Sequence, residues 1–315
     1  MTTMPKSTLA IFGATGNQGN SVANFVLSSP TLSTRYTVRA ISRNTAHHKM
    51  LDLASKGATL VQADMDDAST LPSALRGATH LFLMTNTSYT TATREMETRQ
   101  ARTVCTAALA AGVSYIIFSS MSHPAKLTNG ALNNVDHFDV KAEIEAYIRG
   151  LPVQSAFFAP ASFMQNYMGM MAPRPAPEND GTYVLADMLE GDTRMPFIDI
   201  TETGKWVGAI LADPDKYAGC FFAAAEGFYG PDQAAEIMSK VTGKTVRHVR
   251  LPDEVVKAAL PDGFREQLFE MFLLNREYGY YGPGQEEMVK WAREQVDGEV
   301  TGLEAFLRRV GLTLE

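Results

Sequence analysis

The stretch that begins at Thr8, TLAIFGATGNQGNSVANFVL, sets Gly13, Gly16 and Gly19 three residues apart, between a short apolar run and a helical pattern. Glycines at that spacing strip side chains from one side of a strand-to-helix turn. Each answers a different need: Gly13 permits the sharp turn, Gly16 lets a pyrophosphate reach the backbone, and Gly19 lets the helix close onto the strand. The free N–H groups and dipole at the helix start then favour an anion. The turn is therefore read as a nucleotide site, with Thr15, Asn17 and Gln18 joining the three glycines as cofactor contacts.

The surrounding rhythm agrees. TLAIF, YTVRAIS, ATLVQAD, THLFLMT, SYIIFSS and VQSAFFA read as short strands. Helical patterns alternate with them at about 18–27, 46–56, 70–75, 91–111 and 136–149. Such alternation implies right-handed crossovers and a parallel sheet covered on both faces. The predicted fold class is α/β, a Rossmann-type doubly wound parallel sheet with a smaller α+β domain on the substrate side. The first domain is placed at 1–158, with its sheet completed by later segments, and the smaller domain at 159–315.

A net charge of −7 and a pI near 5.5 disfavour phosphate backbones and anionic lipid, so neither nucleic acid nor membrane is expected as a partner. The N-terminal residues lack the pattern of a signal peptide, and no run approaches the roughly 20 apolar residues that span a bilayer. Cys105 and Cys220 lie in apolar stretches without the spacing of a metal knuckle or redox pair, and are read as reduced and buried. Together these features suggest a cytoplasmic chain, with the nucleus as the alternative. The pair His47 and His48 has no companion ligands, so no metal is expected.

The identity of the nucleotide follows from the second strand. An NAD site ends that strand in a carboxylate for the ribose hydroxyls. Here it ends in Ser42, Arg43 and Asn44, and Lys49 follows about a helical turn later. A guanidinium pairs with a 2′-phosphate that a carboxylate would repel, so Arg43 points to NADP(H). Asp64 and Met65, after the third strand, are expected at the adenine edge. Thr85 and Asn86, after the fourth, are expected beside the nicotinamide-side phosphates and ribose.

FGATGNQG, SRN, QADMDD and LMTN, continued by HFDVKAEIEAYI, LADPDKYAGCFF and AAEIMSKVTGKTV, together resemble the NmrA-like family of atypical short-chain dehydrogenases over almost the whole chain. The likeness is strongest to the branch that includes NADP-binding redox sensors. It implies NADP(H) bound between a Rossmann domain and a smaller C-terminal domain. Ordinary short-chain dehydrogenases place a serine after the fifth strand, then a tyrosine and a lysine four residues apart on the next helix. Here Ser119 and Ser120 end the fifth strand and Lys141 matches the lysine, but His137 stands in the tyrosine's place. The i, i+4 spacing puts His137 and Lys141 on one helix face. Lys141, His137 and Ser120 are the catalytic candidates, and Lys141 is also a cofactor contact.

The resemblance further implies that Phe163, Gln165 and Asn166 face the nicotinamide. Met164, Met168, Met170 and Met171, with Tyr167, are read as an adaptable apolar pocket. Phe264, Leu268, Met271 and Phe272 fall on a helical period that reads as core or interface, and Tyr278, Tyr280 and Tyr281 as a cap on the pocket. Two functions are carried forward. One is an NADPH-dependent oxidoreductase, or redox-linked biosynthetic enzyme, for an apolar or aromatic small molecule. The other is a non-catalytic NADP(H) sensor that regulates a protein partner.

Overall fold

The computed structural model describes residues 5–87 and 92–314. The expected helix at 91–111 begins on Thr91, outside the described residues, as do positions 1–4 of the N-terminal stretch read for a leader.

Strands β1 (Ser7–Ile11), β2 (Tyr36–Ser42), β3 (Thr59–Gln62), β4 (His80–Leu83), β5 (Tyr115–Ser119) and β6 (Gln154–Pro160) arise where apolar runs were read. Beyond them come β7 (Ser162–Phe163), β8 (Arg174–Pro175), β9 (Tyr183–Asp187), β10 (Met195–Ile198), β11 (Phe221–Ala224), β12 (Gly227–Tyr229) and β13 (Val246–Arg250). The main sheet is parallel and seven-stranded, in the order β11-β6-β5-β4-β1-β2-β3. β6 runs through to Pro160, past the boundary drawn after 158, and β11 supplies a seventh strand from the second half.

The helices of five residues or more that matter here are α1 (Asn17–Ser28), α2 (His48–Ser55), α3 (Leu71–Leu75), α4 (Thr93–Ala110), α5 (Asp136–Arg149), α6 (Thr203–Ala212), α7 (Pro231–Thr242), α8 (Asp253–Ala259), α9 (Arg265–Leu273), α10 (Gln285–Glu294) and α11 (Leu303–Val310). α1, α2, α6 and α10 cover one face of the main sheet and α3, α4 and α5 the other, so the sheet has two cores. One contains Leu9, Ile11, Val22, Phe158 and Trp206; the other contains Phe12, Leu83, Val104, Cys105 and Phe118. Both faces being dry explains why the strands read as continuous apolar runs. Cys105 is fully buried and its thiol is pushed up to about 12 by burial, whereas Cys220 is only half-buried.

Strand order reverses between β1 and β4, which opens a crevice at their carboxyl ends where ligands of such sheets bind. The smaller sheets β12-β10-β7 and β13-β9-β8 face that crevice and share a core of Tyr167, Leu185, Phe197, Met238 and Phe306. No helix among the described residues is long and apolar enough to cross a membrane.

Candidate active site

The glycine turn has the geometry its spacing implies. Gly13 has φ +66, a value that strains any residue with a side chain. A Cβ on Gly19 would lie 2.5 Å from the Gly13 carbonyl oxygen and 2.6 Å from that of Phe12, so α1 can approach β1 only with glycine there. A Cβ on Gly16 would meet the Gly13 oxygen at 3.3 Å. Gly16 caps α1 without a side-chain hydrogen bond, and no acidic residue occupies the first turn. The orphan N–H groups are thus left for an anion. Gln18 is buried, with an Oε1 that has no hydrogen-bond partner.

At the end of β2, Arg43 is exposed and no carboxylate of a described residue lies within ion-pair distance. Asp66, in the loop after β3, is close enough to feel its charge. Burial would raise the Asp66 carboxyl, but hydrogen bonds from Arg99 and Gln100 and the charges of Arg99 and Arg43 hold it below its usual value. Asp64 Oδ1 accepts from Asp66 N at 3.0 Å and shapes this loop, while Met65 packs inward among residues of the second core. Asn17 and Lys49 line a separate polar groove between α1 and the 201–205 segment. His47 caps α2 by accepting from Lys49 N at 3.2 Å.

Beyond the crevice lies a cavity of ≈ 660 Å³ between the main sheet and the two smaller ones. Gln18, Thr85, Asn86, His137, Lys141, Phe163 and Asn166 all reach its wall, so the structure brings these expected site residues together there. Gly13 faces Met84 on the same side. Tyr167, Met170 and Met171 line it, whereas Met164 is core and Met168 is exposed outside it. Leu268, Met271 and Phe272, whose period reads as core, form the opposite wall with Tyr280. Tyr280 and Tyr281 lock the wall by donating to the carbonyls of Pro160 (3.2 Å) and Ala159 (2.8 Å).

Lys141 is held in place rather than free. Its Nζ lies 2.5 Å from Glu97 Oε2 and 3.2 Å from Thr85 Oγ1, and Thr85 in turn donates to Glu97. Glu97 is fully buried, and its Oε1 has no partner. Glu97 escaped the sequence reading. The usable signal was its place on the buried stripe of α4, with Thr93, Gln100, Ala101, Val104 and Ala108, where a carboxylate needs a partner. Gln100 from the same stripe accepts from Asn86 N at 3.1 Å and sets that loop.

His137 is buried beside Phe138, hydrogen-bonded with Gln267, and its pKa is lowered to about 4 by burial and by the Lys141 charge. It is a neutral imidazole near pH 7. Ser119 faces the cavity, while Ser120 turns to the opposite side of the strand end. There its Oγ donates to Glu145 Oε2 at 2.5 Å, and Glu145 pairs with Arg149. Strand alternation separates the two serines.

The chain matches the model of the NmrA-like family over residues 5–307. An NmrA-like family domain-containing oxidoreductase of Malbranchea aurantiaca is 28% identical, with 96% of each chain covered. The structure is similar to that of NmrA, a negative transcriptional regulator solved with NADP (TM-score 0.80, 23% identity, 98% of this chain and 96% of that one). It is also similar to the triphenylmethane reductase of Citrobacter sp. solved with NADP(H) (TM-score 0.74, 19% identity, 98% and 100%).

Proposed function

The chain belongs to the NmrA-like family, and from that premise we propose that it is an NADP(H)-dependent oxidoreductase of an apolar, aromatic-accommodating small molecule. The observation that carries the reading is the ≈ 660 Å³ cavity beside Lys141 and Ser119, open and walled by methionine, leucine and aromatic side chains. The end lined by Thr85, Asn86, Lys141, Phe163 and Asn166 suits the nicotinamide side of the cofactor, and the remainder, walled by Tyr167, Met171, Leu268, Met271 and Phe272, is room for an acceptor. The similar structures solved with NADP or NADP(H) bound, one of them a reductase, support the cofactor.

The residues present fit that cofactor. The uncapped start of α1, bared by Gly16 and Gly19, suits a pyrophosphate, and the free guanidinium of Arg43 suits a 2′-phosphate. Lys141, fixed by Glu97 and Thr85, suits the nicotinamide ribose, with Phe163 and Asn166 at the ring. When bound, NADPH supplies a hydride. The chain's own part is to seat the acceptor against Phe163, Asn166 and the methionines, to keep water away, and to offer a proton. Lys141 is the cation at this end of the cavity and takes the proton-donor role, while neutral His137 packs beside it. Ser119 contributes the hydroxyl expected after β5.

One observation favours a second reading. A neutral, buried imidazole replaces the usual tyrosine acid, and NmrA itself is titled a regulator; a non-catalytic NADP(H) sensor with a protein partner needs no acid. NADPH consumption across a panel of quinones, enals and imines separates the two. Consumption with at least one apolar acceptor supports the enzyme, and NADPH binding without consumption supports the sensor.

A further inference from the structure

The far end of the cavity differs from the Lys141 end. Asp187, the last residue of β9, is the one carboxylate among the described residues that line it. Its Oδ1 is occupied twice, by Leu189 N at 2.8 Å and by His248 Nε2 at 3.1 Å. Its Oδ2 accepts no hydrogen bond from any described residue, and the side chain keeps 18% of its surface exposed. His248 is buried and also faces Asp232, at 3.3 Å from Nδ1. Burial opposes its protonation, but the two carboxylates prevail and raise its pKa. Two aspartates around one imidazole leave a net negative charge whichever protonation state the ring takes. Asp232 is 68% exposed and solvated, so the uncompensated charge that matters is the one on Asp187, inside the cavity.

Asn275 also lines the cavity and is 5% exposed. Its Nδ2 donates to the Met271 carbonyl at 2.8 Å, while its Oδ1 is enclosed by protein, has no hydrogen-bond partner among the described residues and is closed to a ligand in the cavity. The next residue, Arg276, donates to the Met188 carbonyl beside Asp187, so this stretch lies against the end of β9. The cations of the cavity do not meet this demand: Lys141 is committed to Glu97, and Arg174 is exposed on β8. A carboxylate oxygen on a cavity wall that receives no donor from the protein is met by a ligand that brings one.

We propose that Asp187 is the specificity-determining residue of this cavity, and that its substrate is an apolar molecule bearing a protonated amine. The proposal rests on the reading of the cavity as the substrate site. The amine anchors at Asp187 Oδ2, His248 holds that carboxylate in register through Oδ1, and the methionine and aromatic walls enclose the rest.

Calorimetric titration of the NADP⁺-saturated protein near neutral pH tests this with three matched probes: naphthylmethylamine, neutral ethylnaphthalene and anionic naphthylacetate. The amine is expected to bind at least about tenfold more tightly than the neutral probe, and the carboxylate most weakly. Asp187→Asn, which keeps an acceptor for Leu189 N and His248, is expected to abolish the preference while leaving the ethylnaphthalene and NADP⁺ affinities unchanged. Equal affinities, no binding of the amine, a preference for the carboxylate, or a preference that survives Asp187→Asn overturns the proposal. The wild-type ranking decides even if the variant does not fold. A separate NADP⁺ titration distinguishes the two readings: lost NADP⁺ binding with a retained amine preference overturns the cofactor assignment alone.

Discussion

Lys141 Nζ lies 2.5 Å from Glu97 Oε2, with the lysine side chain 13% exposed and the glutamate wholly buried. Breaking such a pair from one side leaves an uncompensated buried charge, which costs about 3–5 kcal/mol. Glu97→Gln and Lys141→Met are each expected to lower stability by about 3 kcal/mol in urea unfolding. The double variant should lose less than the sum by at least about 1 kcal/mol. Simple additivity would show that the two groups do not support one another.

Gly19→Ala has no room, since its Cβ would lie 2.5 Å from a backbone oxygen. It is expected to cost about 2–3 kcal/mol through displacement of α1 and to abolish NADP⁺ binding. Gly16→Ala, at 3.3 Å from the same oxygen, should change stability by less than about 1 kcal/mol yet weaken NADP⁺ at least tenfold. Thermal unfolding and fluorescence titration of the two variants measure both effects. A Gly16→Ala protein with undiminished affinity would remove the pyrophosphate from the turn.

Arg43→Ala is expected to weaken NADP⁺ by roughly 10–100-fold, as befits a lost charged hydrogen bond, and to leave NAD⁺ affinity alone. Parallel titrations with the two dinucleotides measure the ratio. An unchanged ratio would mean that another cation reads the 2′-phosphate.

The pH dependence of stability has a defined sign. His137 and His80 both have folded pKa values lowered to about 4 from the ordinary 6.5, His137 by burial and Lys141, His80 by burial and Arg35. Between those values the unfolded chain takes up protons that the native one refuses. Their stabilisation is therefore complete above about 6.5 and is lost as pH falls towards 4, by up to about 3 kcal/mol for His137. His248 acts in the opposite sense. Its raised pKa gives stability that is full below 6.5 and fades as pH rises through the folded value. Urea midpoints from pH 7 to pH 4.5 should fall, and the fall should be shallower in His137→Gln.

How much of this was legible beforehand depended on whether one residue type had one physical reason to be there. The glycine turn was legible because each glycine answers a separate backbone constraint. Ser119 against Ser120 was not, because a one-residue phase at a strand end reverses the face and the sequence carries both serines. Leu268, Met271 and Phe272 have the same period whether they fill a core or wall a cavity. Asp187 and His248 are far apart in sequence and meet only through the parallel pairing of β9 with β13, in which His248 stands opposite Leu185. No local pattern encodes that register.

The central claim is that a reduction takes place in the cavity beside Lys141. Incubating the protein with NADPH deuterated at the nicotinamide C4, together with the apolar acceptor that best promotes NADPH consumption, measures it directly. The account predicts deuterium in the recovered product for one of the two labelled faces of NADPH and not the other. NADPH that binds but passes no label to any acceptor in the panel would contradict it and leave the chain a sensor.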